Sequence, residues 1–430
     1  MSVVKADDAR PASPASAPEW IRFVSLFVAI AIAFLGNGLQ GTVVSVRAEL
    51  AGMTPVEIGA MASAFFSGYL LGSIFAPRLI AAVGHIRTFA ALASIASAIA
   101  LGFALVVDPV VWIGLRLAAG AAFAGLLIVV ESWLNAATST AMRARTLAAY
   151  NIVVLASWGA SQWLLPLAPL DRGFLLFALV SILFSFALVP VALARADGPA
   201  SAAATRMRVM RMVSVSPSAF LGLFLLGMAV SALWGLGPSW AAANGYAAST
   251  ISALMSAILV MALLLQWPLG LVSDRVDRRL IVGGAFVAAA CSALVLTLSP
   301  APSPGLAMAA VAVLGGAAMP CYAVLVAQAN DRIGPDEVVP MSSALILVYG
   351  SGSAVGPLLL SPFYAAFGGA GLFGGLAACL ACAALLLLVR IAARRADPAE
   401  RTDYVTVPQT SHAMLPLHTG SDAGDASRDT

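Results

Sequence analysis

Lysine is nearly missing from this chain. Of its 23 basic residues only Lys5 is a lysine, and no glycine stands beside it. A phosphate-cradling Walker loop needs a lysine after a glycine-rich turn, so the chain carries no ATPase of that kind. Histidine is scarce too: His85, His412 and His418 are all there are, and the last two lie in a polar C-terminal stretch. No histidine cluster for catalysis or metal is expected in the apolar region. The four cysteines, Cys291, Cys321, Cys379 and Cys382, fall in apolar runs. Cys379-x-x-Cys382 has metal-like spacing but no second pair, and all four read as small core residues. Charge is the last shortage. Charged types make up 10% of the chain, against roughly 25% in soluble proteins. A net charge of +3 is too small and too scattered for a nucleic-acid partner.

Apolar sequence fills the space. Hydrophobic types reach 61% over 430 residues. A bilayer span needs roughly 20 mainly apolar residues. Twelve such runs are predicted, at 21–46, 57–80, 87–107, 110–138, 147–168, 173–194, 217–242, 250–273, 280–299, 306–328, 341–366 and 370–393. Residues 1–20 and 394–430 read as disordered tails, and 195–216 as a linker between a half at 21–194 and a half at 217–393. The first apolar run lacks a basic leader and is too long for a cleaved signal peptide.

Arginine sets the orientation. With the tails inside, the inner loops and helix ends hold Arg78, Arg87, Arg143, Arg145, Arg195, Arg206, Arg208, Arg211, Arg275, Arg278, Arg279 and Arg332, while the outer loops hold Arg47 and Arg172. Both termini are therefore expected in the cytoplasm. The halves also repeat. A shift of 193 residues lays Ile58 on Ile251, Ser63 on Ser256 and Leu70-Leu71 on Leu263-Leu264.

One dense charge cluster interrupts the apolar sequence: Gly270, Asp274, Arg275, Asp277, Arg278 and Arg279 lie between two runs long enough to cross a bilayer. Such charges belong in a tight interfacial loop. The pattern Gly-x-x-Ser-Asp-Arg-x-x-Arg-Arg resembles the signature loop of the major facilitator superfamily of secondary transporters. The 193-residue shift carries Ala81 onto Asp274 and His85 onto Arg278, so the first half holds a decayed copy ending GHIR. ESWLN at 131–135 resembles a YcaD-like bacterial branch of that superfamily, with GHIR at 84–87 and AND at 329–331 adding to the likeness.

The resemblance implies an all-α membrane protein of twelve transmembrane helices in two six-helix pseudo-symmetric halves. It implies alternating access around a midplane site, a small-molecule substrate, a proton as coupling ion, no cofactor, no metal and a monomer in the bacterial inner membrane. An uncoupled facilitator and a transport-inactive receptor or scaffold remain the alternatives. A membrane enzyme would need intramembrane histidines, paired aspartates or a reactive serine elbow, none of which is legible. The signature loop is expected to latch the cytoplasmic side.

Two charges sit well inside predicted spans. Arg116 in RLAAG, which resembles the family's fourth-helix motif, would cost roughly 2.5–3.5 kcal/mol in lipid. It either binds an anionic group or tunes an acid, or else snorkels to the interface. Gly120 and Ala124 follow it as a stripe for close helix packing. Glu131 lies fifteen residues on, about 22 Å along the helix, too far to pair with it. Arg78 and Arg87 are its expected partners in a gate, with a proton-carrying role as the rival. In relatives the first, fourth, seventh and tenth spans line the cavity. Asn37, Gln40, Trp234, Tyr322 and Gln328 are candidates there, joined by Trp158 and Gln162 from the fifth span. GSGSAVGP at 350–357 resembles an antiporter glycine-proline motif, but in the other half, so antiport is not supported.

Overall fold

The computed structural model describes residues 19–138, 142–170, 173–193, 215–334 and 337–393. The expected tails, most of the 195–216 linker and Arg172 lie outside them. Within them the chain is helical: α1 Glu19–Leu50, α2 Pro55–Val83, α3 His85–Leu105, α4 Pro109–Ala137, α5 Arg143–Gln162 and α6 Gly173–Ala192. Then follow α7 Pro217–Ala243, α8 Ala248–Ser273 and α9 Arg278–Thr297. The next span, α10, is Pro304–Asn330 with a turn at Met319 and Pro320, and Val338–Ala393 comes last.

Among the described residues, ten segments are long and apolar enough to cross a membrane. One of them continues through the break in Val338–Ala393 at Gly368 (φ 59°), which divides α11, at 338–367, from α12, at 369–393. The less apolar α5 adds a further twenty-residue helix. The described helices thus fall at the places the apolar runs mark, ten of the segments being apolar and long enough to span.

Local chemistry sets the boundaries. Thr54 caps α2 and Glu57 returns the bond in a capping box. Asp108 accepts from Val111 N–H at 3.0 Å ahead of Pro109, and Ser303 caps α10 ahead of Pro304. Gly84 turns the chain between α2 and α3 with φ 85°, a conformation that favours glycine. Prolines inside helices, such as Pro238 and Pro357, are tolerated because neighbouring helices satisfy the freed backbone groups.

The helices form two bundles. In the first, α2 packs on α4, and α6 on α1 and α3; in the second, α7 packs on Val338–Ala393 and α8 on α10. Lipid offers no hydrophobic drive between helices, so small residues set the approach. A Cβ on Gly120 would strike the Phe65 carbonyl, and one on Gly68 the Leu117 carbonyl. The glycines of GSGSAVGP do the same work: Gly352 abuts the Phe224 carbonyl and Gly356 the Met228 carbonyl. Large apolar side chains such as Trp267 and Leu298 are exposed on the outside, where lipid lies. Cys291 and Cys382 are exposed as well, so the expectation of four core cysteines fails for two of them. They sit on the outer faces of α9 and α12, where lipid replaces packed protein.

The two ends of the bundle differ. One, the signature end, brings the 274–278 loop beside Asp331 and the end of α12. The other, the far end, joins Arg47 to the Leu170 carbonyl (2.8 Å) and Tyr246 to the Pro302 carbonyl (2.6 Å). Among the described residues, the hydrogen bonds between the bundles lie mostly toward the far end. Ser45 Oγ donates to the Gly235 carbonyl (2.7 Å) and accepts from Ser239 N–H (3.1 Å). Ser252 Oγ donates to the Gln162 carbonyl (2.6 Å), and Ser63 Oγ accepts from Leu358 N–H (3.0 Å).

Candidate functional site

The signature loop is built by the cap of α9. Asp277 accepts from Arg279 N–H at 3.0 Å and pairs with the Arg279 guanidinium at 2.9 Å. Arg279 also donates to the Arg390 carbonyl of α12 (3.2 Å). Arg278 is buried and pairs with Asp331 at the end of α10 (3.1 Å) and with Asp274 one turn back (3.4 Å). These pairs lie within the second bundle. Gly270 is buried, while Asp274 and Arg275 are exposed at the surface of the loop. In the first bundle His85 takes the place of Arg278, and its Nε2 lies 3.1 Å from Ser132 Oγ on α4.

Glu131 is 3% exposed. Tyr150 of α5 donates its hydroxyl to Oε1 at 3.0 Å. The gate reading expected Arg78 or Arg87 here. Both are exposed, and Arg78 lies over the Phe75 ring at 5.8 Å. They end on the outward sides of α2 and α3, whereas Glu131 faces the bundle interior, so a phenol occupies the position foreseen for a guanidinium. Tyr69 of α2 and Tyr322 of α10 lie within electrostatic range of the same carboxyl.

Arg116 is 7% exposed, and its guanidinium stacks on the Phe65 ring at 4.3 Å. It does not snorkel. Its Nη1 is buried with no hydrogen-bond partner among the described residues. The same holds for Gln40 Nε2, Trp234 Nε1, Tyr322 OH and Gln328 Oε1. Buried polar atoms are ordinarily paired, so these atoms on α1, α4, α7 and α10 are candidates to recruit other partners, as are Thr88 Oγ1 on α3 and Arg278 Nε on α9. Trp158 and Trp234 meet across the bundles with rings tilted by 31° and centroids 4.6 Å apart, and Tyr322 meets Tyr349 edge-on at 5.0 Å. Asn37 is half-buried on α1. Gln328 donates to Ser218 Oγ (2.6 Å) through its other end.

Gln162 stands apart from this group. It accepts from Thr42 Oγ1 at 2.7 Å and donates to Ser161 Oγ at 3.0 Å, tying α5 to α1. Sequence reasoning missed Tyr69, Tyr150 and Asp331. A buried acid needs a hydrogen-bond donor and a buried arginine a carboxylate, but which helix supplies either depends on the packing.

Residues 219–418 match the model of the Major Facilitator Superfamily. The helix arrangement matches the crystal structure of the nucleoside transporter NupG with a TM-score of 0.72, covering 86% of this chain and 98% of that one. It also matches a bacterial homolog of the human lysosomal transporter Spinster, in an inward-facing and occupied conformation, with a TM-score of 0.68 over 90% and 99% of the two chains. Identity to both is 14%, so these likenesses concern the fold. The chain is also 27% identical over 340 residues to the uncharacterized MFS-type transporter YcaD of Salmonella arizonae, covering 77% of this chain and 85% of that one. The second half thus resembles the major facilitator superfamily, and these likenesses together support a multi-pass membrane transporter.

Proposed function

We propose that the protein is a secondary active transporter of the bacterial inner membrane, with the tails and the signature end in the cytoplasm. It moves a small molecule by rocking the half at 21–194 against the half at 217–393, coupled to protons. The observation that carries this reading is the concentration of cross-bundle hydrogen bonds toward the far end, through Ser45, Ser63 and Ser252. Bonds of this kind hold one gate while the opposite end is left to part. The arginine-rich loops put the signature end inside, so the far end is the closed outer gate. Arg278 and Arg279 tie the signature loop to its own half, and exposed Asp274 and Arg275 are positioned to engage the other half in a latch. The orphaned donors and acceptors on α1, α4, α7 and α10 supply the substrate site.

Spin labels at Ala51 and Ala247, both exposed at the far end, and at Val83 and Val276, both exposed at the signature end, test this reading. Two populations in antiphase are expected, one pair lengthening as the other shortens, with a balance that moves with pH. Antiphase distances indifferent to pH favour the uncoupled facilitator. One fixed distance at each end under every condition favours the transport-inactive scaffold and overturns the proposal.

A further inference from the structure

Arg116 is a buried cation, and no acid of the spans reaches it. The acidic side chains within the spans are Glu49 on α1, Glu57 on α2 and Glu131 on α4. Helices α5, α7, α8, α10 and α11 carry none. Glu131 is about 22 Å away along α4, and Asp108, the cap of that helix, is about 12 Å back. Glu57 stands eight residues before Phe65, the ring under Arg116, so it too is about 12 Å off, and it bonds Thr54 in the cap of α2. A ring face attracts a cation but brings no charge to cancel it. A guanidinium keeps its proton at physiological pH and is costly to bury unpaired. The missing negative charge therefore comes from outside the chain.

There is room for it. Phe34 of α1 meets Phe123 of α4 edge-on at 5.2 Å, and the two helices run in opposite directions. Two turns, or about 10 Å, toward the far end bring Gly41 to the same face of α1 and Arg116 to the same face of α4. A Cβ on Gly41 would meet nothing within 4 Å, so open space lies before the guanidinium. Gln40, beside Gly41, is buried and its Nε2 has no partner. Trp234 Nε1 is in the same condition. Trp234 precedes Gly235, whose carbonyl takes the hydroxyl of Ser45 one turn beyond Gly41. Its ring partner Trp158 stands against Gly38, where a Cβ would meet Cδ1 at 2.8 Å. The orphans at this depth are thus all N–H donors. The orphaned carboxyl and amide oxygens lie elsewhere: Glu49 Oε2 at the far end of α1, and Gln328 Oε1 and Asn330 Oδ1 at the signature end of α10.

We propose that Arg116, with the N–H groups of Gln40 and Trp234, binds the carboxylate of an apolar organic acid whose body lies against the Trp158 and Trp234 rings. The inference rests on the transporter reading and names the substrate class for it: a monovalent organic anion. The Phe65 ring takes one face of the guanidinium and leaves its edge, where two N–H groups match the two oxygens of a carboxylate. One unpaired guanidinium balances one negative charge. The aromatic walls, Phe34, Phe65, Phe123 and the two tryptophans, favour an apolar body over an inorganic anion. A cationic ligand would meet Arg116 with no acid to offset it.

The probe is 2-naphthoate, and 2-naphthamide, a neutral molecule of the same shape, is its comparison. Each is titrated calorimetrically into the purified full-length protein at about pH 7, where the carboxyl is ionised. The acid is expected to bind at one site, about tenfold or more tightly than the amide. Arg116→Gln should remove that preference, with a thermal melt to show that the variant is folded. Arg116→Lys should keep part of it, because the charge remains and the fork is lost. Gln40→Leu should weaken the acid less than Arg116→Gln does. The wild-type comparison needs no variant to fold. Equal affinity for the two probes, absence of binding, or a preference that survives in folded Arg116→Gln would each overturn the site. Displacement of naphthoate by inorganic phosphate would overturn the organic class. Antiphase spin-label distances with no preference for the acid would leave the transporter standing and remove the anion. A preference with fixed distances would do the reverse.

Discussion

The two halves use the same helices and spend their charge differently. In the second half, the charge of the signature loop is paired off locally: Arg278 with Asp331 and Asp274, and Arg279 with Asp277. The corresponding loop of the first half has Ala81 where the second has Asp274, and a neutral contact between His85 and Ser132 replaces the guanidinium pairs. The first half instead keeps its charges on α4, with Arg116 on a phenylalanine ring and Glu131 under a tyrosine hydroxyl. A paired charge at an interface holds a loop in shape. A charge within a span, with rings and phenols for company, is left responsive to what enters. The comparison contrasts a loop in the second half whose charges are paired locally with a helix in the first half whose charges meet rings and hydroxyls.

The largest effect should come from breaking the second half's pairs. Arg278→Ala leaves Asp331, whose side chain is only 15% exposed, without its guanidinium. Loss of a buried partner costs roughly 3–5 kcal/mol, and this site belongs at the low end because Asp274 is 37% exposed. Denaturant unfolding in detergent measures it. A loss below about 1 kcal/mol would mean that the pairs are worth no more than ordinary surface bridges.

Packing should weigh on the halves alike. Gly120→Val drives a side chain into the Phe65 carbonyl, and Gly352→Val does the same to Phe224. Each should cost roughly 1–3 kcal/mol by overpacking. If only one half responds in a thermal melt, the bundles are not equally tight and the comparison needs revision. His85→Ala sharpens the contrast from the weaker side. It removes one neutral hydrogen bond, worth about 1 kcal/mol, and should fall well short of Arg278→Ala in the same assay.

The smallest effect is expected where the halves meet. Ser45→Ala or Ser252→Ala deletes a cross-bundle bond at the far end. Such bonds average about 0.6 kcal/mol in membrane proteins, which is a shift of roughly threefold in an open–closed equilibrium. Distances between labels at Ala51 and Ala247 would report it as a larger open population. An unchanged distribution would mean that the far-end gate is held by packing alone.

Much of this could be read in advance. Every apolar run became a helix because backbone polar groups in hydrocarbon must bond within their own segment. The caps at Asp108 and Thr54, and the turn at Gly84, follow from side chains a few residues apart. Asp274 and Arg278 stand at i and i+4, so that pair was legible too. Asp331 was not, because the repeat lays it on Thr138, which carries no charge. Nor was Tyr150, which is 19 residues from Glu131 and on another helix. The expectation for Arg78 and Arg87 failed on helix rotation, which sequence spacing fixes only within a helix and never against its neighbours.

The sequence by itself determined the solvent, the all-helical class and the places of the helices, the loop that carries the charge and the candidate side chains on the central helices. Hydropathy and local hydrogen bonding act over a few residues, and the chain states them directly. Only the tertiary structure decided which donors meet which acceptors: Tyr150 with Glu131, Asp331 with Arg278, Trp158 with Trp234, and Ser45 with Gly235. Those pairs depend on how each helix is rotated and how closely it approaches its neighbours, which small residues such as Gly120 and Gly352 set through contacts far apart in the chain.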